Sequence, residues 1–157
     1  SNNYGNLIQR ISSFITKNSE SKVSKPKHFN EEDINLFNSF EEILQYYFKH
    51  MNSYQIDRAL KNIFEYLSLV NAYVDKQAPW SLKKSDPKRM NEVLYTITII
   101  TIKCSILLYP IIPSSINKVL HIYNLSLKDL DISNLNEFLP DIIYLNKPNP
   151  IFPRIEL

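Results

Sequence analysis

Glycine is almost absent from this sequence: it holds one in 157 residues, where average usage of roughly 7% would supply about eleven. Phosphate-cradling loops, dinucleotide fingerprints and type I′ hairpins need several glycines at positive φ or at close backbone approach. The shortage argues against a nucleotide-binding α/β enzyme within these residues. Cysteine is equally scarce, and a single thiol, Cys104, builds neither a disulfide framework nor a multi-thiolate zinc site. His28, His50 and His121 are far apart, with no spacing that suggests metal ligands or a catalytic base. No stretch opens like a signal peptide, so a reducing, cytoplasmic setting is expected. The most apolar run is interrupted by Lys103 and falls short of the ~20 apolar residues of a membrane span. Strong net charge is lacking too, at a formal +2.

What is present is helical periodicity. Over residues 3–18, Leu7, Ile8, Ile11, Phe14 and Ile15 fall on one arc, while Asn6, Arg10, Ser13 and Lys17 form a separate polar stripe. A polar linker at 19–29 carries Lys22, Lys25, Pro26 and Lys27. Asn30 then reads as an N-cap, with Glu31, Glu32 and Asp33 facing the positive end of the helix dipole. This second helix should reach about Met51 and bury Ile34, Phe37, Leu44, Tyr47 and Phe48. A third begins near Asn52 or Ser53. Its Ile56, Leu60, Ile63, Leu67, Val70 and Val74 alternate spacings of four and three, a bundle seam ended by Pro79.

Asp86-Pro87 is a cap followed by proline in the first turn, opening a segment that ends before Pro110. Its Thr96–Ile102 stretch is strand-like by β-branching, but about 23 residues with helical apolar spacing (Val93, Ile97, Ile100, Cys104, Leu107) favour a helix. Ser114 or Ser115 should cap a fifth helix with Ile116, Val119, Leu120 and Tyr123. A short helix or turn follows around Leu135 to Leu139, and then an extended, proline-spaced tail over 147–153. The expected fold is all-α, a bundle of about five helices with an extended C-terminal tail. Residues 1–157 form one domain, with 1–124 as the bundle and 125–157 packing back on it.

The near-neutral total hides a pattern. Residues 1–30 carry five Lys/Arg against one acid, and 31–75 carry three against eight. Residues 76–118 carry seven against two, and 119–157 three against five. Two basic segments thus flank an acidic pair of helices. Solvated faces would explain this alone, but the basic segments adjoin the Asn6/Arg10 stripe and the loop that holds the only tryptophan, Trp80.

Asn71-Ala72-Tyr73-Val74-Asp75-Lys76-Gln77-Ala78-Pro79-Trp80-Ser81-Leu82-Lys83-Lys84 closely resembles the anticodon-binding domain of methionyl-tRNA synthetases, as does Gly5-Asn6-Leu7-Ile8-Gln9-Arg10. Ile151-Phe152-Pro153-Arg154-Ile155 is similar to the end of that family's core enzyme. The matches occur in family order and cover nearly the whole chain. The lysine-rich linker at 19–29 matches no family feature.

The resemblance implies that Asn6, Arg10, Pro79 and Trp80 meet in space and receive the CAU anticodon of methionine tRNA. The chemistry suits that role. Unpaired loop bases stack on aromatic faces and are read along their edges. Pro79 stiffens the platform, Asn6 both donates and accepts, and Arg10 donates to a base or phosphate one helical turn later. In this reading Asp75 repels wrong anticodons. Asn71 is a polar residue holding the loop, and Lys83, Lys84, Lys88 and Arg89 track the phosphate backbone. The bland alternatives are a core-filling Trp80, a solvated Arg10, and Asn6 as a helix cap beside Gly5; Cys104 belongs to the core.

The resemblance further implies a preceding catalytic domain close before Ser1, which uses ATP and Mg. This fragment would then be monomeric and inactive alone, with no catalytic residue, metal or cofactor of its own and no membrane partner. Lys22-Val23-Ser24-Lys25-Pro26 looks like the Lys-Met-Ser-Lys-Ser signature of class I synthetases, but it lies after the first helix, whereas the family places that signature upstream. Two rival readings are the equivalent domain of another class I synthetase and a helical protein-interaction module without RNA binding.

Overall fold

The computed structural model describes residues 2–149, so the 151–155 segment of the resemblance lies outside the described residues. Helix α1 spans Asn2–Asn18, strand β1 Lys22–Ser24, α2 Glu31–Asn52 and α3 Ile56–Gln77. A 3₁₀ turn, Pro79–Ser81, leads into the single-turn α4, Leu82–Ser85. Helix α5 runs Pro87–Leu108 and α6 Pro113–Ile122; two 3₁₀ turns and strand β2, Ile142–Tyr144, complete the described chain.

Helix α5 is the axis of the bundle, in contact with α1, α2, α3, α6 and β1. Because neighbours surround it, it is buried on every side from Val93 to Leu108. This is why its sequence shows β-branching without a polar face. A strand of that length would have no partner, whereas a helix satisfies its own backbone. Two of its buried hydroxyls bond within the helix, Thr96 and Ser105 donating to the carbonyls of Glu92 and Thr101 at 2.9 and 2.6 Å, while Thr98 Oγ1 has no partner among the described residues. By length and composition alone α5 could cross a membrane, but 89% of that window is buried inside the fold. Asp86 caps it by accepting from the Arg89 N–H at 3.0 Å, with Pro87 in the first turn.

Helix α1 buries Tyr4, Leu7, Ile8, Ile11 and Ile15 against this axis, leaving Asn6, Arg10 and Lys17 exposed, as its periodicity predicts. Helix α3 buries Ile63, Leu67, Val70 and Val74 as expected, with Ala59, Tyr66 and Tyr73 added; Leu60 is half-buried and Ile56 is exposed.

Helix α2 is rotated from its expected face. Ile34 and Phe48 are exposed and Phe37 only half-buried, while Asp33, Leu36, Phe40, Leu44 and Tyr47 point inward. The reason is electrostatic. Asp33 is fully buried on partners from α3 and α5, and about 100° per residue then carries Ile34 outward.

The 19–29 linker is not irregular throughout. Its middle forms β1, which pairs antiparallel with β2 in the register Lys22↔Tyr144. Val23 and Ile143 face the core, while Ser24, Ile142 and Tyr144 alternate outward. At α6, Pro113 occupies the first turn and Ile112 precedes it, with no side-chain cap from Ser114 or Ser115. The segment after α6 bonds back to the bundle through Tyr95 Oη to the Pro140 carbonyl (2.6 Å) and the Asn146 N–H to the Ile122 carbonyl (2.8 Å).

Lys103 is the unusual core residue. Its ammonium lies over the Phe37 and Phe40 rings, at 5.3 and 5.8 Å, and donates to the Asn136 carbonyl at 3.0 Å. Burial pushes its pKa down to about 8 from 10.5. Between those values the unfolded chain holds a proton that the folded chain has lost, so stability rises with pH. The buried Cys104 thiol and the buried tyrosines act oppositely, from about pH 9 and pH 10 upward, because burial makes them resist ionising in the fold. In chemical denaturation the stability of the wild type relative to Lys103→Met, which carries the same thiol and tyrosines, should therefore rise on the order of 1–3 kcal/mol from pH 8 to 10.

Candidate nucleic-acid interface

The Trp80 turn is built from an unfavourable conformation. Helix α3 ends with Ala78 in the left-handed region, at φ 44° and ψ 63°, where glycine is the usual residue. An alanine there costs roughly 1–2 kcal/mol. Its N–H bonds to the Val74 carbonyl at 2.9 Å, and both the N–H and Oγ of Ser81 return to the Ala78 carbonyl, at 2.9 and 2.8 Å. Pro79 is buried beneath the turn and Trp80 stands 43% exposed above it. Trp80 is therefore no core plug.

Helix α1 brings the second half of the site. The Arg10 guanidinium lies 5.3 Å from the centre of the Trp80 ring and 3.6 Å from an Asp75 carboxylate oxygen. Both members of that ion pair are largely exposed, so it contributes about 0–1 kcal/mol. Its effect is orientation: Trp80 and Asp75 together hold a flexible arginine at the platform edge. Asn6 is exposed one turn before Arg10, inside α1, so it is not a cap. Among the described residues its carboxamide has no hydrogen-bond partner.

Not every expected residue joins them. Asn71 donates to the Leu67 carbonyl of its own helix at 3.0 Å and does not reach the loop. Lys84 and Lys88 are exposed, and Lys83 is exposed with its ammonium on Asn18 Oδ1 at 2.9 Å. Arg89 cannot track phosphates. Its two terminal nitrogens bind both oxygens of Asp33, at 2.7 and 2.9 Å, and also reach Glu92 at 3.2 Å and Gln77 at 3.0 Å. Its side chain is only 14% exposed, and the neighbouring carboxylate holds its pKa above the usual value.

This cluster is the support that sequence reasoning missed. Asp33 accepts from the Tyr73 hydroxyl and Arg89, and closes a capping box with Asn30 at the start of α2. The Gln77 carboxamide is held at both ends, its oxygen by Arg89 and its nitrogen by Glu32, which also takes the Lys76 ammonium. Gln77 is the last residue of α3, directly before Ala78-Pro79-Trp80. Three helix ends are thus tied beneath the platform. Removing the arginine leaves a buried carboxylate without its countercharge, so Arg89→Met should cost about 3–5 kcal/mol of stability. Tyr73→Phe, which removes one hydrogen bond, should cost about 1–3 kcal/mol; urea titration measures both.

Comparison with known proteins places this arrangement. Residues 23–156 match the family model described as the anticodon binding domain of methionyl tRNA ligase. The methionine–tRNA ligase of Brucella suis biovar 1 is 35% identical over 154 residues, which cover 98% of this chain and 30% of that protein. That of Rickettsia felis is 36% identical over 126 residues, 76% of this chain and 24% of that protein. The crystal structure of free Mycobacterium tuberculosis methionyl-tRNA synthetase superposes with a TM-score of 0.92 at 27% identity, over 99% of this chain and 32% of that one. The form of that enzyme bound to methionyl-adenylate gives 0.90 at 27% identity, over 97% and 31%. This chain thus spans about a third or less of the length of these relatives. With the Trp80 turn and the α1 stripe on one surface, and a family match over most of its length, the chain belongs to the anticodon-binding domain family of the methionyl-tRNA ligases.

Proposed function

We propose that this domain reads the CAU anticodon of methionine tRNA, on behalf of a ligase whose remaining portion joins methionine to that tRNA. The observation that carries the reading is the approach of Arg10 to within 5.3 Å of a solvent-open Trp80. Arg10 covers part of one face of the indole, so a base stacks on the open face or displaces the guanidinium. Trp80 supplies the sequence-tolerant stacking, about 1–3 kcal/mol per base. Asn6, with both donor and acceptor free, reads a Watson–Crick edge. Asp75 pulls Arg10 into register and repels phosphates that approach out of place. Lys83, Lys84 and Lys88 give a salt-dependent grip on the backbone.

Among the described residues no group of three His, Cys, Asp or Glu side chains could hold a metal ion. We assign ATP and Mg chemistry to the catalytic portion of such a ligase. The present chain acts as a monomeric tRNA selector with no turnover of its own. The rival reading, a protein-interaction module, gives no reason for Arg10, Asn6 and Trp80 to share one exposed surface.

Trp80 is the only tryptophan, so its fluorescence reports this site alone. A CAU anticodon stem-loop should quench it, and a loop altered at the first anticodon base should quench it much less at equal concentration. Trp80→Ala should weaken stem-loop binding by about 1–3 kcal/mol, read by filter binding or calorimetry. Equal responses to the two loops would reduce the domain to a nonspecific RNA binder.

A further inference from the structure

The lysine-rich segment that follows α1 has no role in the anticodon site, yet the fold gives it a defined place. After Asn18 the chain turns through Glu20 and Ser21, both at positive φ (52° and 55°), and enters β1. The ribbon of β1 and β2 is fastened to the N-terminal part of α5 by one side chain. Asn91 accepts from the Ser24 N–H at 3.1 Å and donates to the Ser24 carbonyl at 2.8 Å, as a neighbouring strand would. The pairing continues one residue further, with the Lys25 N–H on the Asp141 carbonyl at 2.8 Å.

This docking gathers lysines that the sequence scatters. Lys88 lies one helical turn before Asn91, hence beside the ribbon. Lys83, bonded to Asn18, lies against the end of α1, with Lys84 next to it. Lys17 occupies the last turn of α1, seven residues after Arg10 on the same stripe and about 10 Å further along the axis. Lys22 and Lys25 are on the ribbon itself, with Tyr144 opposite Lys22 and 57% exposed. Three acids lie nearby: Glu20 pairs with Lys22 at 3.5 Å, Asp86 caps α5, and Asp141 is exposed across the ribbon from Lys25. Lysines of α1, α4 and the ribbon thus lie on the path from the Arg10–Trp80 site, past Asn18, to β1.

We propose that this surface, formed by Lys17, Lys22 and Lys25 with Tyr144 beside them, is a second RNA-contact site that holds phosphates of the double-stranded stem adjoining the anticodon loop. The inference rests on the anticodon reading: a loop on Trp80 and Arg10 brings its stem next to the site, and α1 leads from Arg10 to Lys17 and the ribbon. The residue chemistry suits the partner. Lysines are point charges on flexible stems, able to follow a phosphate backbone without reading sequence. Paired RNA is recognised largely through its shape and its phosphate and ribose contacts.

The test compares two RNAs on the intact chain: the CAU stem-loop and the single-stranded loop heptamer without a stem. For each, the slope of log Kd against log salt counts the phosphates engaged, at roughly 0.7–0.9 per contact. The stem-loop should show the steeper slope. Replacing Lys17, Lys22 and Lys25 together by glutamine should lower that slope by about two and weaken stem-loop binding about tenfold in low salt. Heptamer binding, and discrimination between CAU and an altered loop, should be unchanged. A control removing three exposed cations from α2 and α3 (Lys49→Gln, Arg58→Gln, Lys61→Gln) carries the same change in net charge and should leave the slope in place. The proposal is overturned if the lysine triple variant keeps the wild-type slope, or if the control lowers it equally. Failure of the anticodon reading shows separately, as equal binding of CAU and altered loops by the wild-type chain.

Discussion

The burial of one carboxylate, Asp33, fixes the relation between three helices. A lone carboxylate in the interior would be strongly destabilising, so its position is tolerable only where the neighbouring chain supplies every missing hydrogen bond. Tyr73 comes from α3, Arg89 from α5, and Asn30 from the chain entering α2. The two oxygens of Asp33 are filled only when all three segments are in place. That requirement sets the rotation of α2 about its own axis, turning Leu36, Phe40 and Leu44 inward and Ile34 outward. The same requirement positions Arg89 to hold Gln77, and through it the turn that carries Trp80. A buried ion pair contributes little net stability; what it supplies here is a single geometry.

The turn itself illustrates how a chain with one glycine makes its corners. Its single glycine, Gly5, is buried within α1, and the left-handed positions fall to Glu20, Ser21, Tyr54, Ala78 and Asn124. Each costs something that a glycine would not, but each also has fewer conformations to lose. At Ala78 this has a functional sense. A stacking platform gains affinity when it is already ordered before the base arrives. Alanine followed by proline, above a clamped glutamine, is stiffer than a glycine hinge. At this corner the scarcity of glycine stiffens the turn that carries Trp80.

Much of this was legible from local pattern. Helix α5 could be recognised despite its β-branched middle because a capped segment of that length has no strand-based alternative. The family resemblance, rather than local pattern, implied that the α1 stripe faces the Ala-Pro-Trp turn, and Arg10 and Trp80 do meet. What was not legible depended on distant partners. Asp33 looked like an ordinary first-turn acid because nothing local announces Tyr73 and Arg89. Arg89 looked like one more surface cation for the same reason. Strand β1 is three residues long, and its partner lies near the other end of the chain, so periodicity could not separate it from a linker. Long-range polar pairing leaves no mark on local hydrophobic spacing. The errors fall where such pairing decides the structure.

The carboxamide of Gln77, clamped between Arg89 and Glu32, holds Trp80 ready for a base. Time-resolved fluorescence anisotropy of Trp80 in Gln77→Ala, read beside the thermal melt and stem-loop affinity of the same variant, tests it most directly. The Asp33–Arg89–Tyr73 core remains in that variant, so the fold should melt within a few degrees of wild type. Trp80 should gain a fast local depolarisation absent from the wild type, and CAU stem-loop binding should weaken several-fold. A Trp80 that stays as immobile as in the wild type, with unchanged affinity, would contradict the account.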